Sequence, residues 1–228
     1  MATHPWPELL IFDLDGTLID SKEDIAAALN QTLAESGLPQ LAREVIYAHV
    51  GNGVFELIRG TVAAAGGDEG QAEAVLGRFM EVYEARCLER TRLYPGAHEV
   101  RVRFAGVPMA LITNKSMRFT RPILAGLGIA AWFEPVLARD SLARCKPHPE
   151  PLLHCLARHG ADPARTWMVG DGAVDIEAGR AAGVRTVGCL YGFRTEAELR
   201  AARPDALIRD LRELPGLFGP GPGLRPGQ

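Results

Sequence analysis

The chain has 228 residues, a hydrophobic fraction of 47% and a formal net charge of −3, enough apolar material for one large domain plus a smaller one. That balance excludes a nucleic-acid binder held by bulk positive charge, and no apolar run approaches the roughly 20 residues of a membrane span. The start, Met1-Ala2-Thr3-His4-Pro5-Trp6-Pro7, has neither the basic region nor the apolar core of a signal peptide, and Cys87, Cys145, Cys155 and Cys189 form no Cys-x-x-Cys pair. A cytoplasmic protein with reduced, packed thiols is therefore expected, with no nucleic-acid or membrane partner.

Taken in order, Leu9-Leu10-Ile11-Phe12 is a short apolar run closed by Asp13-Leu14-Asp15-Gly16-Thr17-Leu18, and it reads as a buried strand. Alternation along a strand puts Asp13 and Asp15 on one face, giving one group that can attack and one that can carry a proton. Two such carboxylates repel, which a divalent cation would relieve. Taken bare, Asp-x-Asp is also an ordinary acidic strand end. After Asp20 the pattern turns helical: Ser21 is a plausible N-cap, Glu23 and Asp24 occupy the first turn, and Ile25, Leu29, Thr32 and Leu33 share a face until Ser36-Gly37-Leu38-Pro39. Helix spacing continues over residues 41–50, 54–65 and 71–92, separated by Gly51-Asn52-Gly53 and Gly66-Gly67-Asp68.

Tyr94-Pro95-Gly96 then ends this all-α stretch. Helices are expected over 97–104, 116–127, 150–159 and 174–182, strands over 107–112, 136–138, 166–169 and 185–188, and a last strand-helix unit over 206–214. Strands alternating with helices imply an α/β fold, a Rossmann-like parallel sheet covered on both faces, with ligands at the carboxyl ends of its strands. The expected organisation is a core from residues 1–19 and 93–216, an inserted all-α cap domain at 20–92, and a disordered Gly/Pro-rich tail at 217–228.

Three further strand ends carry polar groups. Ile112-Thr113-Asn114-Lys115 places a hydroxyl and an amide where they could donate to a phosphoryl oxygen, although Thr-Asn is also common turn chemistry. In Arg144-Cys145-Lys146-Pro147-His148-Pro149, the prolines forbid helix and predict an extended segment that aims Lys146. Val169-Gly170-Asp171-Gly172 projects Asp171 toward the same edge, with Asp175 one helical turn later. Lysine occurs only at Lys22, Lys115 and Lys146 in a chain otherwise dependent on Arg, and two of the three fall inside these strings.

Phe12-Asp13-Leu14-Asp15-Gly16-Thr17-Leu18, Thr113-Asn114, Lys146-Pro147-His148-Pro149 and Gly170-Asp171, in that order, resemble the four motifs of the haloacid dehalogenase superfamily. The resemblance implies a magnesium-dependent phosphatase acting through an aspartyl-phosphate: Asp13 as nucleophile, Asp15 as proton carrier, Thr113, Asn114 and Lys146 on the phosphate, and Mg2+ held by Asp13, the Asp15 backbone carbonyl and Asp171, with Asp175 behind them. Family members often carry serine where this chain has Gly172. The helical insertion resembles the α-helical cap of one subgroup, and Gly51-Asn52-Gly53, Ile112-Thr113-Asn114-Lys115 and Tyr191-Gly192-Phe193 are similar to phosphoglycolate phosphatases. In that reading Gly51, Asn52 and Arg59 contact the leaving group of a small-molecule phosphate ester, and the protein is a monomer or homodimer. A sugar phosphate such as N-acetylmuramate 6-phosphate, or pyrophosphate, is the alternative substrate. A phosphomutase is disfavoured because residues 23–92 contain no lysine, and a non-catalytic binding protein because every primary position is filled.

Overall fold

The computed structural model describes residues 4–220. A six-stranded sheet of order β5-β4-β1-β6-β7-β8 forms its centre, made of β1 (Leu9–Phe12), β4 (Met109–Ile112), β5 (Val136–Leu137), β6 (Thr166–Gly170), β7 (Arg185–Cys189) and β8 (Ala206–Ile208). Every pairing in it is parallel. β1 lies between β4 and β6, with Phe12 opposite both Leu111 and Val169. Because both faces of this strand are covered, it is a continuous apolar run rather than an alternating one.

Alternation still sorts the side chains between the two faces. Leu9 and Ile11 join Ala110, Ile112 and Met168 against α7 (Glu150–His159) and α8 (Ala173–Ala181). Leu10 and Phe12 point the other way, with Leu111, Trp167 and Val169, into a core shared with α5 (Ala97–Arg103) and α6 (Met117–Gly126). That second core continues into α1 (Lys22–Glu35), α2 (Arg43–His49), α3 (Val54–Ala64) and α4 (Glu69–Arg86), whose buried residues include Leu29, Ile46, Ile58 and Phe79.

Several expected boundaries move for local chemical reasons. The helix expected to reach residue 92 ends at Arg86. Beyond it the buried Asp24 carboxylate accepts from Arg90 N, Thr91 N and Thr91 Oγ1, which holds the chain in a turn before β3 (Arg92–Leu93) pairs antiparallel with β2 (Ile19–Asp20). α4 starts two residues early, at a capping box in which Asp68 and Gln71 satisfy each other's backbone N–H groups. Ser21 stands at the N-cap of α1 but makes no capping bond; its hydroxyl donates to Asp15 instead. Lys146-Pro147 is not extended but lies in a turn closed by His148 N donating to Cys145 O.

One helix was unexpected: α9 (Glu196–Ala202), begun by a Thr195/Glu198 capping box. The last unit is a strand followed by a 3-10 helix, Leu211–Leu217. The tail expected from residue 217 therefore starts too early. Phe218 is buried among Trp6, Phe104 and Trp167, and Gly219 N donates to His4 O at 2.8 Å. A single aromatic side chain in an apolar socket anchors the described start of this stretch. Residues 221–228 of the expected tail lie outside the described residues. No helix among the described residues is long and apolar enough to cross a membrane.

Candidate active site

The carboxyl ends of β1, β4 and β6 deliver Asp13, Thr113 and Asp171 to one edge of the sheet, and the turn before α7 brings Lys146 to the same place. All four are buried. The Lys146 ammonium donates to Asp13 Oδ1 at 2.8 Å, to Asp175 Oδ1 at 2.6 Å and to the Ile112 carbonyl at 2.8 Å, which occupies all three of its donors. Burial alone would pull this ammonium down, but Asp13 and Asp175 outweigh it and the net shift is upward.

Carboxylate oxygens of Asp13, Asp171 and Asp175 lie within 4.8 Å of one another. Burial lifts the Asp13 carboxyl to about 7 against the opposing pull of Lys146. Asp171 is pushed well above the ordinary carboxylate range by burial and by Asp13 and Asp175 beside it. The Lys146 ammonium offsets one of these three charges, and a divalent cation would offset the other two. The donor set consists of hard oxygens, the kind that magnesium, calcium or manganese prefers. Asp175 spends one oxygen on Lys146 and the other on Gly172 N at 2.9 Å, so Asp13 and Asp171 are the carboxylates left to face an ion.

Asp171 is fixed by the loop after β7. Phe193 N donates to its Oδ2 at 2.6 Å. A Cβ on Gly16, whose φ is +80°, would sit 2.1 Å from the same oxygen, and one on Gly192 would sit 2.3 Å from Asp171 Cβ. Only glycine lets both backbones close around this side chain. The adjacent Tyr191 hydroxyl donates to Thr17 O at 2.9 Å, tying that loop to the turn after β1.

Asp15 does not join the carboxylate cluster. Both its oxygens accept from Lys115 Nζ at 3.0 Å, and Oδ1 also accepts from Ser21. Lys115 is buried over the Tyr83 ring, 4.9 Å from its centroid. Thr113 Oγ1 accepts from Lys115 N at 3.1 Å. Asn114 Nδ2 donates to Lys146 O at 3.0 Å and to Gly51 O at 3.2 Å, linking β4, the Lys146 turn and the loop between α2 and α3. Its Oδ1 is buried without a partner among the described residues.

Two cavities meet at Asp13 and Asp15. A small one, about 60 Å³, runs under the helices between Gly51, Val54, Leu57, Tyr83, Lys115 and Phe119. A larger one, about 560 Å³, runs past Asn52 and Asp171 toward Arg194 and Glu198. Gly51 lines both cavities and Asn52 the larger one. Arg59 lines neither. Leu57 faces the small cavity, whereas Arg59, two residues and so about 200° further around α3, is exposed and lies 3.8 Å from Glu56. The cations that do reach this region are Lys115 and Arg194. The latter donates to Ala48 O at 2.7 Å and also to Val50 O, both at the end of α2. Lysine's rarity in this chain was a signal for Lys115; nothing local marked Arg194.

A parallel α/β sheet whose first strand ends in two aspartates, facing a buried lysine from the turn before α7 and a further aspartate from another strand end, defines a hydrolase of the haloacid dehalogenase type. The family model described as haloacid dehalogenase-like hydrolase matches residues 10–189, and the chain belongs to that family. It is 40% identical over 225 residues to a phosphoglycolate phosphatase of Pseudomonas putida, covering 96% of this chain and 82% of the relative. A phosphoglycolate phosphatase of Nitrosococcus oceani is 35% identical, covering 93% and 96% respectively. Among solved structures, one described as a predicted phosphoglycolate phosphatase of Haemophilus somnus superposes with a TM-score of 0.86 at 30% identity, over 92% of this chain and 97% of that one. The protein is a phosphoric monoester hydrolase.

Proposed function

We propose that this enzyme is a magnesium-dependent phosphatase that hydrolyses a small phosphomonoester, phosphoglycolate above all, through an aspartyl-phosphate on Asp13. The observation that carries this reading is the Asp13 carboxylate, held 2.8 Å from the Lys146 ammonium at the sheet edge where the buried Asp171 and Asp175 converge. A nucleophile, a fixed positive charge and a cation site in one place are the parts phosphoryl transfer demands.

In this mechanism Asp13 attacks phosphorus and the ester P–O bond breaks. Asp15 gives its proton to the leaving alkoxide and recovers one from the water that hydrolyses the acyl phosphate, releasing inorganic phosphate and free Asp13. Thr113 and the Asn114 backbone N–H bind the phosphoryl oxygens, and Lys146 balances their charge. Asp13, the Asp15 carbonyl and Asp171 would hold magnesium, which when bound neutralises phosphate charge as a Lewis acid. Asp175 holds Lys146 in place. Helices α1 to α4, residues 20–92, act as a cap whose closure excludes water. Bonds from Arg194 to Ala48 O and from Asn114 to Gly51 O span the cap and core.

The larger cavity favours a second reading, in which a bulkier sugar phosphate is the substrate. Phosphate release by wild type and Asp13→Asn, with magnesium and with EDTA, tests the mechanism. The variant is expected to be inactive while folded, and EDTA to silence the wild type until magnesium is restored. Turnover by folded Asp13→Asn would refute it.

A further inference from the structure

The small cavity beside Asp15 has a chemistry that the phosphoryl-transfer residues leave unused. Asp13, Asp15, Thr113 and Asn114 border its phosphoryl end; beyond them the wall is apolar, including Ile25, Leu57, Phe79 and Phe119, and its one cationic side chain is Lys115. Two observations point to an anion at this end. The first is α3, which enters the cavity wall at Gly53 and Val54 with no side-chain cap on its first N–H groups, so uncapped backbone donors and the positive end of the helix dipole stand at this wall. The second is Tyr83, which lines the same wall with a buried hydroxyl that has no partner among the described residues. Lys115 adds a third donor: its ammonium spends two bonds on the Asp15 carboxylate and keeps one N–H beside the Tyr83 ring.

Size narrows the occupant. At about 10 to 15 Å³ for each water-sized group, a cavity of about 60 Å³ holds about four to six of them, close to a carboxymethyl group and far short of a sugar.

We infer that this cavity is the leaving-group subsite, that it takes a short leaving group bearing a carboxylate, and that Lys115, assisted by the Tyr83 hydroxyl and the first turn of α3, determines that specificity. The inference rests on the phosphatase reading above and deepens it: Lys115 links the leaving group's charge to Asp15, the group that must protonate its oxygen.

The test compares phosphoglycolate with 2-hydroxyethyl phosphate, which has a similar length but ends in a neutral hydroxyl. Wild type is expected to favour phosphoglycolate in kcat/KM by about 10- to 100-fold, the range of a hydrogen bond to a charged group. Lys115→Met should abolish that ratio, Lys115→Arg should restore part of it, and Tyr83→Phe should reduce it severalfold. Circular dichroism establishes that each variant is folded. Because Lys115 also contacts Asp15, the ratio of the two esters and not the absolute rate is the readout. Equal losses on both esters in Lys115→Met would reduce Lys115 to a positioning residue for Asp15 and overturn the inference. So would a wild type that treats the two esters alike. Wild type that releases phosphate from no ester, p-nitrophenyl phosphate included, would overturn the phosphatase reading and this assignment with it.

Discussion

Two buried lysines flank the Asp13-Leu14-Asp15 turn, and their environments differ in a way that separates holding a charge from reading one. Lys146 is 1% exposed at its side chain, and its three donors are taken by Asp13, Asp175 and the Ile112 carbonyl. Its partners come from the ends of β1 and β4 and from the first turn of α8. Lys115, 8% exposed at its side chain, faces the helices instead and concentrates its bonds on Asp15. A saturated ammonium can only fix its neighbours, whereas one with a free donor at a cavity can bind what enters. In the proposed mechanism Lys146 therefore serves the phosphoryl group and Lys115, which stands just beyond β4, serves the leaving group.

The largest expected effect breaks the saturated side. Lys146→Met leaves Asp13 and Asp175 buried without their counter-charge, which should cost about 3–5 kcal/mol of stability and remove activity. Urea unfolding with phosphate release measures both. Lys115→Met should cost less, about 1–3 kcal/mol, because Asp15 retains the Ser21 hydroxyl and is partly exposed. An equal cost for both variants would erase the distinction between the two lysines.

A second perturbation acts at Asp171. Gly192→Ala puts a methyl group 2.3 Å from Asp171 Cβ and 2.5 Å from the Gly16 carbonyl, so the carboxylate must shift. The magnesium concentration for half-maximal activity should rise by about 10- to 100-fold, the usual effect of disturbing a group that orients a metal ligand. The preference for phosphoglycolate over 2-hydroxyethyl phosphate should stay at its wild-type value. The smallest effect belongs to Arg59→Ala, which should change stability and kcat/KM by no more than about 0.5 kcal/mol on any ester, since this side chain is exposed and pairs with the equally exposed Glu56.

That Arg59 fails while Asp13, Thr113, Lys146 and Asp171 converge shows where sequence was readable. Each of these four stands at or just beyond an apolar strand, or before a helix with a proline signal, and a parallel sheet gathers the carboxyl ends of its strands wherever they lie in the chain. Their order and local pattern were enough. Arg59 needed the phase of α3, and two residues' error in phase turns a side chain from the cavity to solvent. Lys115 is marked by the rarity of lysine, whereas Tyr83 and Arg194 depend on how α4 and the loop after β7 pack against the rest, and tertiary packing has no local signature. α9 is the opposite case: Thr195 and Glu198 are a capping box visible in the sequence. The Gly/Pro composition around Phe218 predicts a disordered tail from 217, but the socket that holds this ring is built from Trp6, Phe104 and Trp167, far away in sequence.

The covalent role proposed for Asp13 can be measured directly. An acid-quenched reaction with phosphoglycolate and magnesium, reduced with borohydride and digested, should yield a peptide with homoserine in place of Asp13, and none when substrate is withheld or in Asp13→Asn. A wild type that turns over under the same conditions with no modification at position 13, or with homoserine at Asp15 or Asp171 instead, would contradict the assignment of Asp13 as nucleophile.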